Sequence, residues 1–87
     1  MYEFLISEYI KKLDINKLDV LARKNNIILS SNETNILYNL IKNNWKDILS
    51  GNDKKYINYL RSNINNEAFT KIIDIYKFYN DKYNKKN

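Results

Sequence analysis

Side chains able to do acid–base, nucleophilic or metal chemistry are few in this sequence. The 87 residues include no His and no Cys, which leaves carboxylates and hydroxyls as candidates for catalysis. Four acids precede a basic residue by four positions, a spacing typical of solvent-exposed helix faces. These pairs are Glu8 with Lys12, Asp19 with Arg23, Glu67 with Lys71, and Asp81 with Lys85. Acids at metal-ligand spacing and a glycine-rich phosphate loop are both absent. The sequence therefore predicts no enzyme activity, no cofactor, no metal site and no small-molecule substrate.

The hydroxyl with the clearest pattern is Ser30, which is followed three residues later by Glu33. This spacing predicts a capping box, in which the serine hydroxyl accepts from the Glu33 amide and the carboxylate accepts from the Ser30 amide. Capping explains Ser30 without a catalytic role. The pattern places the start of a helix here.

Basic residues could neutralise nucleic-acid phosphates, since the net charge is +5 at pH 7. The candidates for such contacts are Lys54, Lys55, Arg61, Lys82, Lys85 and Lys86. Tyr59 lies between Lys55 and Arg61 in the sequence and could stack on a base. More than half of the residues are Ile, Asn, Lys or Tyr, all encoded by A/T-rich codons. An AT-rich genome therefore accounts for many lysines without selection for nucleic acid.

Aromatic residues give a second kind of candidate site, because tyrosine is enriched in protein interfaces. Eight tyrosines are more than a core of this size can hide. Tyr59, Ile75, Phe78 and Tyr79 are the predicted interface residues. The last three belong to a helix with apolar residues around most of its circumference, so this helix is either central in its bundle or covered by a partner.

Helices must position all of these residues, because the chain has no Pro, one Gly and apolar spacings of three and four. The pattern predicts an all-α fold, a compact bundle of four to five short helices. The first helix has a complete apolar stripe, formed by Tyr2, Leu5, Ile6, Tyr9, Ile10 and Leu13. Residues 1–81 are predicted to form one domain, followed by a frayed polar tail at 82–87.

Helix boundaries follow from capping residues and turn residues. Asp14 is predicted to cap the second helix, and Asn25-Asn26 to end it before an extended link at 27–29. Gly51 occupies a position that requires a left-handed conformation. Asn52 or Asp53 is expected to cap the fourth helix, and Asn65 or Asn66 the last. Periodicity leaves open whether Asn43-Asn44 divides residues 31–50 into two helices.

The predicted core consists of the large apolar side chains on the stripes of these helices. They are Leu21, Leu37, Leu40, Ile41, Ile57, Leu60, Phe69, Ile72 and Ile73. The N-terminal residues Met1-Tyr2-Glu3-Phe4 lack the basic start of a signal peptide, and no apolar run is long enough to span a membrane. A cytoplasmic location with no membrane association is expected.

From Tyr9 to about Tyr79, the chain resembles a family of small uncharacterised all-helical proteins of low-GC Gram-positive bacteria. The shared features are Lys11-Lys12-Leu13 at a helix end, residues 14–18 opening the next helix, residues 22–27, Leu29-Ser30, and residues 65–68 at the last helix. The chain departs at 43–52, where that family has a shorter junction containing Gly. The resemblance implies a helical fold, and the family has no assigned activity.

Together these patterns predict a protein-interaction module that catalyses no reaction. It would act as an adaptor, an inhibitor or an immunity-type protein, with another protein or itself as partner. The alternative is a small basic helical protein that binds nucleic acid.

Overall fold

Five helices follow one another in the computed structural model, which describes residues 2–84 and the side chains of residues 4–81. They are α1 (Tyr2–Lys12), α2 (Ile15–Lys24), α3 (Ser31–Leu49), α4 (Lys54–Asn63) and α5 (Asn66–Asn84). These residues contain no strand, so the predicted all-α bundle is confirmed. No helix in this range is both long enough and apolar enough to cross a membrane. The predicted boundary at residue 81 falls inside α5, and 85–87 lie outside the described residues.

Two helices begin as their capping residues predict. At the start of α2, the Asp14 carboxylate accepts a hydrogen bond from the Lys17 amide at 2.9 Å. The complete capping box forms at α3: Ser30 Oγ accepts from the Glu33 amide at 3.1 Å, and Glu33 Oε1 accepts from the Ser30 amide at 2.9 Å. These bonds satisfy amides that a helix start leaves unpaired.

The starts of α4 and α5 decide between the predicted alternatives. Asp53 occupies the N-cap position of α4 but makes no side-chain capping bond. Its carboxylate instead accepts from the Tyr76 hydroxyl at 2.7 Å, which connects α4 to α5. Asn65 caps α5, since its Oδ1 accepts from the Ala68 amide at 2.8 Å.

Both predicted helix ends after α2 and α3 use a left-handed residue. Asn26 has φ of 60° and Gly51 has φ of 106°. After α2, the Ile27 amide reaches back to the Ala22 carbonyl at 2.8 Å, the long bond of a Schellman motif. A corresponding bond closes α3 beyond Gly51. The motif also places Ile27 in the core, where only 5% of its surface is exposed.

The central helix of the bundle is α3, against which α1, α2 and α4 pack. It runs unbroken through Asn43-Asn44, which settles the open question about residues 31–50. Helix α5 packs against α4 but, among the described residues, makes no close backbone contact with α1 or α2. The helix that is apolar around most of its circumference therefore lies at an edge of the bundle.

The predicted core is only partly confirmed. Leu37, Leu40, Leu60 and Phe69 are buried, whereas the prediction for Leu21 is wrong because 39% of this side chain is exposed. The other predicted core residues are only half-buried and pack against the core, namely Ile41, Ile57, Ile72 and Ile73. For Leu21, Ile41 and Ile72 the physical reason is the separation between α2 and α5, which leaves these residues facing a gap.

The first helix is also less buried than its apolar stripe predicts. Ile10 is buried, but Leu5 is 63% exposed and Tyr9 is 54% exposed. Helix α1 packs mainly on α3, which covers one side of the stripe only. Lys42 of α3 stabilises the end of α1 by donating to the Ile10 carbonyl at 2.9 Å.

Candidate functional site

A groove lies between α2 and α5, whose backbones do not meet. Leu37 and Ile41 of α3 form its floor. Leu21 forms one wall on α2, and Ile75 and Tyr79 form the other on α5. The groove is lined mostly by apolar side chains and has a volume of about 360 Å³. We call this surface the α2–α5 groove.

A second apolar depression continues from the same floor towards α1 and α4. Leu37, Ile41 and Ile75 line both cavities. Ile6 of α1 and Trp45 of α3 line the second depression but not the α2–α5 groove. The second depression has a volume of about 290 Å³. No large side chain among the described residues is fully buried. The two cavities therefore share part of their apolar lining, and the side chains that border them are not fully enclosed.

Three of the four predicted interface residues lie together on α5. Ile75 and Tyr79 line the α2–α5 groove. Phe78 is 62% exposed, and its ring meets the Tyr79 ring edge-on with centroids 5.2 Å apart. Tyr59, by contrast, lies on α4 beside a different cleft. The structure thus divides the predicted set between two surfaces.

Helical spacing places lysines beside both walls of the α2–α5 groove, a feature that sequence reasoning missed, although none of them lines the cavity itself. Lys17 and Lys24 lie four residues before and three residues after Leu21, so all three share one face of α2. On α5, Lys71 precedes Ile75 by four residues and shares its face. The sequence does contain this pattern, as lysines three and four residues from Leu21. The pattern did not indicate a groove because the prediction places Leu21 in the core.

The three predicted nucleic-acid residues whose side chains the structure describes do not share one face of α4. Lys54 and Arg61 are seven residues apart on one face of α4, whereas Lys55 points to another face. The Lys55 ammonium is 3.7 Å from the carboxylate of Asp47, which offsets its charge. The Arg61 guanidinium lies 5.0 Å from the centre of the Phe69 ring. The side chains of Lys82, Lys85 and Lys86 lie outside the described residues.

A cleft between α3 and α4 contains Tyr59 and Lys55 and has a volume of about 570 Å³. Its α3 side carries a row of exposed amides at helical spacing. They are Asn32, Asn35, Asn39 and Asn43. Each amide offers both a donor and an acceptor, so this side of the cleft can hydrogen-bond to a ligand. Sequence reasoning treated these asparagines only as compositional bias.

The carboxylate of Glu33 connects two helix starts. Besides the capping box, its Oε2 accepts from the Asn65 amide at 2.7 Å, and its Oε1 accepts from the Asn65 side chain at 3.2 Å. The hydrogen bond from the Ser30 backbone, reinforced by those from Asn65, lowers the pKa of Glu33 below its usual 4.5. Asn65 in turn caps α5. We call Ser30, Glu33 and Asn65 the capping junction.

The other groups with shifted pKa values also join helices. The Tyr56 hydroxyl of α4 donates to Asp47 of α3 at 2.5 Å, which lowers the pKa of Asp47 and raises that of Tyr56. Burial, together with the hydrogen bond to Asp53, raises the pKa of Tyr76. Among the described residues, no cluster of three acids could hold a metal ion. These ionisable groups stabilise contacts between helices.

Comparisons with known protein families, curated proteins and solved structures find no match to this chain. The resemblance to the small helical proteins of low-GC Gram-positive bacteria stays a prediction.

Proposed function

We propose that this chain is a non-enzymatic protein-interaction module, of the adaptor, inhibitor or immunity type, which binds its partner through the α2–α5 groove. The observation that carries the proposal is the exposure of apolar side chains around an apolar cavity. Leu21 is 39% exposed, Tyr79 50% and Phe78 62%. Contiguous apolar surface of this kind marks interaction sites on small soluble proteins.

The energetics favour covering this surface. Burying apolar area contributes about 25 cal/mol for each Å² removed from water. Tyr79 and Phe78 are large and rigid, so ordering them in an interface costs little conformational entropy. Aromatic anchors beside an apolar pocket are also the usual centre of binding energy in a protein interface. The groove combines both features, whereas Tyr59 lies in a more polar cleft.

Adjacent residues of α2 provide a matched test. Leu21 lines the groove, whereas its neighbour Val20 is 50% exposed and does not line it. We expect Leu21→Asp to abolish partner binding and Val20→Asp to leave it unchanged, because only the former places a charge in the groove. Partners captured by the wild-type chain would be identified by mass spectrometry, purified and titrated against both variants. Sedimentation velocity over a range of protein concentrations tests whether the chain associates with itself.

The two variants also define what would contradict the proposal. Circular dichroism must first show that both keep the wild-type helix content and melt cooperatively. Equal binding by Leu21→Asp and the wild type would place the interaction outside the groove. Equal loss in both variants would point to a general effect of added negative charge.

The nucleic-acid alternative has one observation in its favour. Lys55, Tyr59 and the row of amides line the same cleft between α3 and α4. A base could stack on Tyr59 while Lys55 contacts a phosphate. Against this, Asp47 offsets the charge of Lys55.

The salt dependence of binding tests the alternative. Phosphate contacts make log affinity fall with log salt concentration, with a slope near −0.9 for each phosphate neutralised on duplex DNA. Combined replacement of Lys54, Lys55 and Arg61 by Gln would flatten that slope by about two or three if these residues contact phosphates. We expect no micromolar binding to duplex DNA at about 150 mM salt and no effect of the triple variant. Salt-dependent binding that the triple variant abolishes would favour the nucleic-acid function.

A further inference from the structure

The chemistry of the groove identifies its occupant. Resting on the proposed function, we infer that the α2–α5 groove binds an acidic amphipathic helix of another protein. Three properties of the surface carry this inference: its apolar floor, the lysines that flank it, and the small number of polar side chains in its lining.

The dimensions of the groove fit a helix. On α5 the lining extends from Ile72 to Tyr79, which corresponds to about 10 Å along the helix axis. The second depression continues the apolar surface from the shared floor of Leu37 and Ile41. A docked helix of three or four turns, about 16–22 Å long, could place one apolar residue per turn into this surface.

The lining also favours a helix over an extended peptide. An extended segment needs backbone donors and acceptors along its binding surface. Most of the lining consists of aliphatic side chains, and Asn25 and Tyr79 supply its polar side-chain atoms. A helix satisfies its own backbone groups, so it loses no backbone hydrogen bond on entering such a surface.

The lysines beside the groove indicate that the bound helix is acidic. Lys17 and Lys24 lie one turn to either side of Leu21 on α2, and Lys71 lies one turn before Ile75 on α5. The Lys17 ammonium donates to the Lys12 carbonyl at 3.1 Å, which holds its charge at the α1 end of the groove. The Lys71 ammonium donates to the Asn26 carbonyl at 2.8 Å, which fixes it against the turn that follows α2. A bound helix with acids along both edges of its apolar stripe would meet a lysine on either side.

The acids of α2 and α5 do not cancel this arrangement. Asp19 lies on the opposite side of α2, where it pairs with Arg23 at 3.0 Å. Glu67, in the first turn of α5, is 3.6 Å from Lys71 and offsets part of its charge. Asp74 lies about 100° around α5 from Ile75, facing away from the groove. The α2 side of the groove therefore remains basic, whereas on the α5 side the charge of Lys71 is partly offset.

A second copy of the chain is a poorer occupant on the same grounds. The net charge of +5 makes two copies repel each other. Helix α1 exposes Leu5 and Tyr9, but Lys11 and Lys12 form its last turn. Those lysines would face the lysines of the groove.

Three designed peptides of about 16 residues test the inference by fluorescence anisotropy against the full chain. The first carries Leu on one helical face and Glu along both edges of that face. The second replaces every Glu by Lys, and the third has the composition of the first with its Leu residues scrambled. We expect the acidic peptide to bind at least about tenfold more tightly than the basic one, with an affinity that falls as salt rises. The scrambled peptide should bind most weakly because it cannot present a continuous apolar face.

Two triple variants that remove the same charge test whether the preference for the acidic peptide depends on the lysines beside the groove. Combined replacement of Lys17, Lys24 and Lys71 by Gln should weaken binding of the acidic peptide by roughly tenfold, since each exposed ion pair contributes modestly. Gln keeps a side-chain donor at positions 17 and 71, where the lysines donate to the Lys12 and Asn26 carbonyls, so the fold should be retained. The matched control replaces Lys54, Lys55 and Arg61 of α4 by Gln. It removes the same charge away from the groove and should change affinity less than about twofold.

The outcomes separate this inference from the proposed function. If acidic and basic peptides bind equally and Leu21→Asp abolishes both, the preference for acids is overturned while binding in the groove stands. If Leu21→Asp leaves the acidic peptide bound, the site lies elsewhere and both proposals fail. Equal effects of the two triple variants, or no binding of any peptide at about 1 mM, would also overturn the inference.

Discussion

The capping junction and the α2–α5 groove are two regions in which neighbouring elements meet, and they are organised in opposite ways. At the junction, the Glu33 carboxylate accepts from Ser30 and Asn65, and Asn65 caps α5. No buried polar side-chain atom among the described residues lacks a partner. In the groove, apolar side chains such as Leu21 and Tyr79 remain exposed. The protein therefore satisfies its polar groups internally and leaves apolar groups uncovered.

This difference shows which region stabilises the fold and which is available for binding. A polar network satisfied within the chain gains nothing from a partner. An apolar groove gains free energy from any cover that fits it. Substitutions at the junction should thus change stability, and substitutions in the groove should change binding.

The largest effect is expected from a core leucine compared with the groove leucine. Leu60 is 4% exposed and Leu21 is 39% exposed. Leu60→Ala should lower the free energy of unfolding by about 2–5 kcal/mol, because it leaves a cavity in packed surroundings. Leu21→Ala should cost less than about 1 kcal/mol, because solvent already reaches the side chain. Urea denaturation of both variants measures the difference, and equal losses would mean that Leu21 is a core residue after all.

An intermediate effect is expected from Glu33→Gln at the capping junction. The neutral amide loses an acceptor for the Asn65 backbone N–H, so the free energy of unfolding should fall by about 2 kcal/mol. The pKa of Glu33 is lowered in the folded state from its usual 4.5. Its contribution to stability is therefore complete above pH 4.5 and disappears as pH falls through the folded pKa.

Thermal melts across the acid range test this pH dependence. The wild type should lose stability as pH falls below 4.5, and Glu33→Gln should lose less over the same range. Asp47 also has a lowered pKa, so the variant should retain some acid sensitivity. Parallel pH profiles for the two proteins would contradict the proposed role of the Glu33 carboxylate.

The smallest effect is expected from Ser30→Ala, which removes one side of the capping box. The Glu33 amide loses its acceptor, at a cost of about 1 kcal/mol. The bonds between Glu33 and Asn65 should survive, and peptide binding in the groove should be unchanged. A Ser30→Ala variant that keeps full stability but loses binding would place Ser30 in a binding site.

Much of the helical structure could be predicted from the sequence because its causes are local. Asp14, Ser30 and Gly51 act within a few residues of themselves, through caps and turn conformations. Apolar spacing gave the helices and their order for the same reason. The composition likewise indicated that eight tyrosines could not all be buried.

What only the tertiary structure decided was which apolar stripe is covered. The stripes of α1, α2 and α5 have the same periodicity as the stripe of α3, yet only α3 is surrounded by other helices. Covering a face requires a neighbour at the right distance, and that distance depends on all five helices together. Periodicity consequently places Leu21 in the core and does not indicate the lysines beside the groove. Periodicity identifies the apolar face of a helix, but only packing determines whether this face meets another helix or solvent.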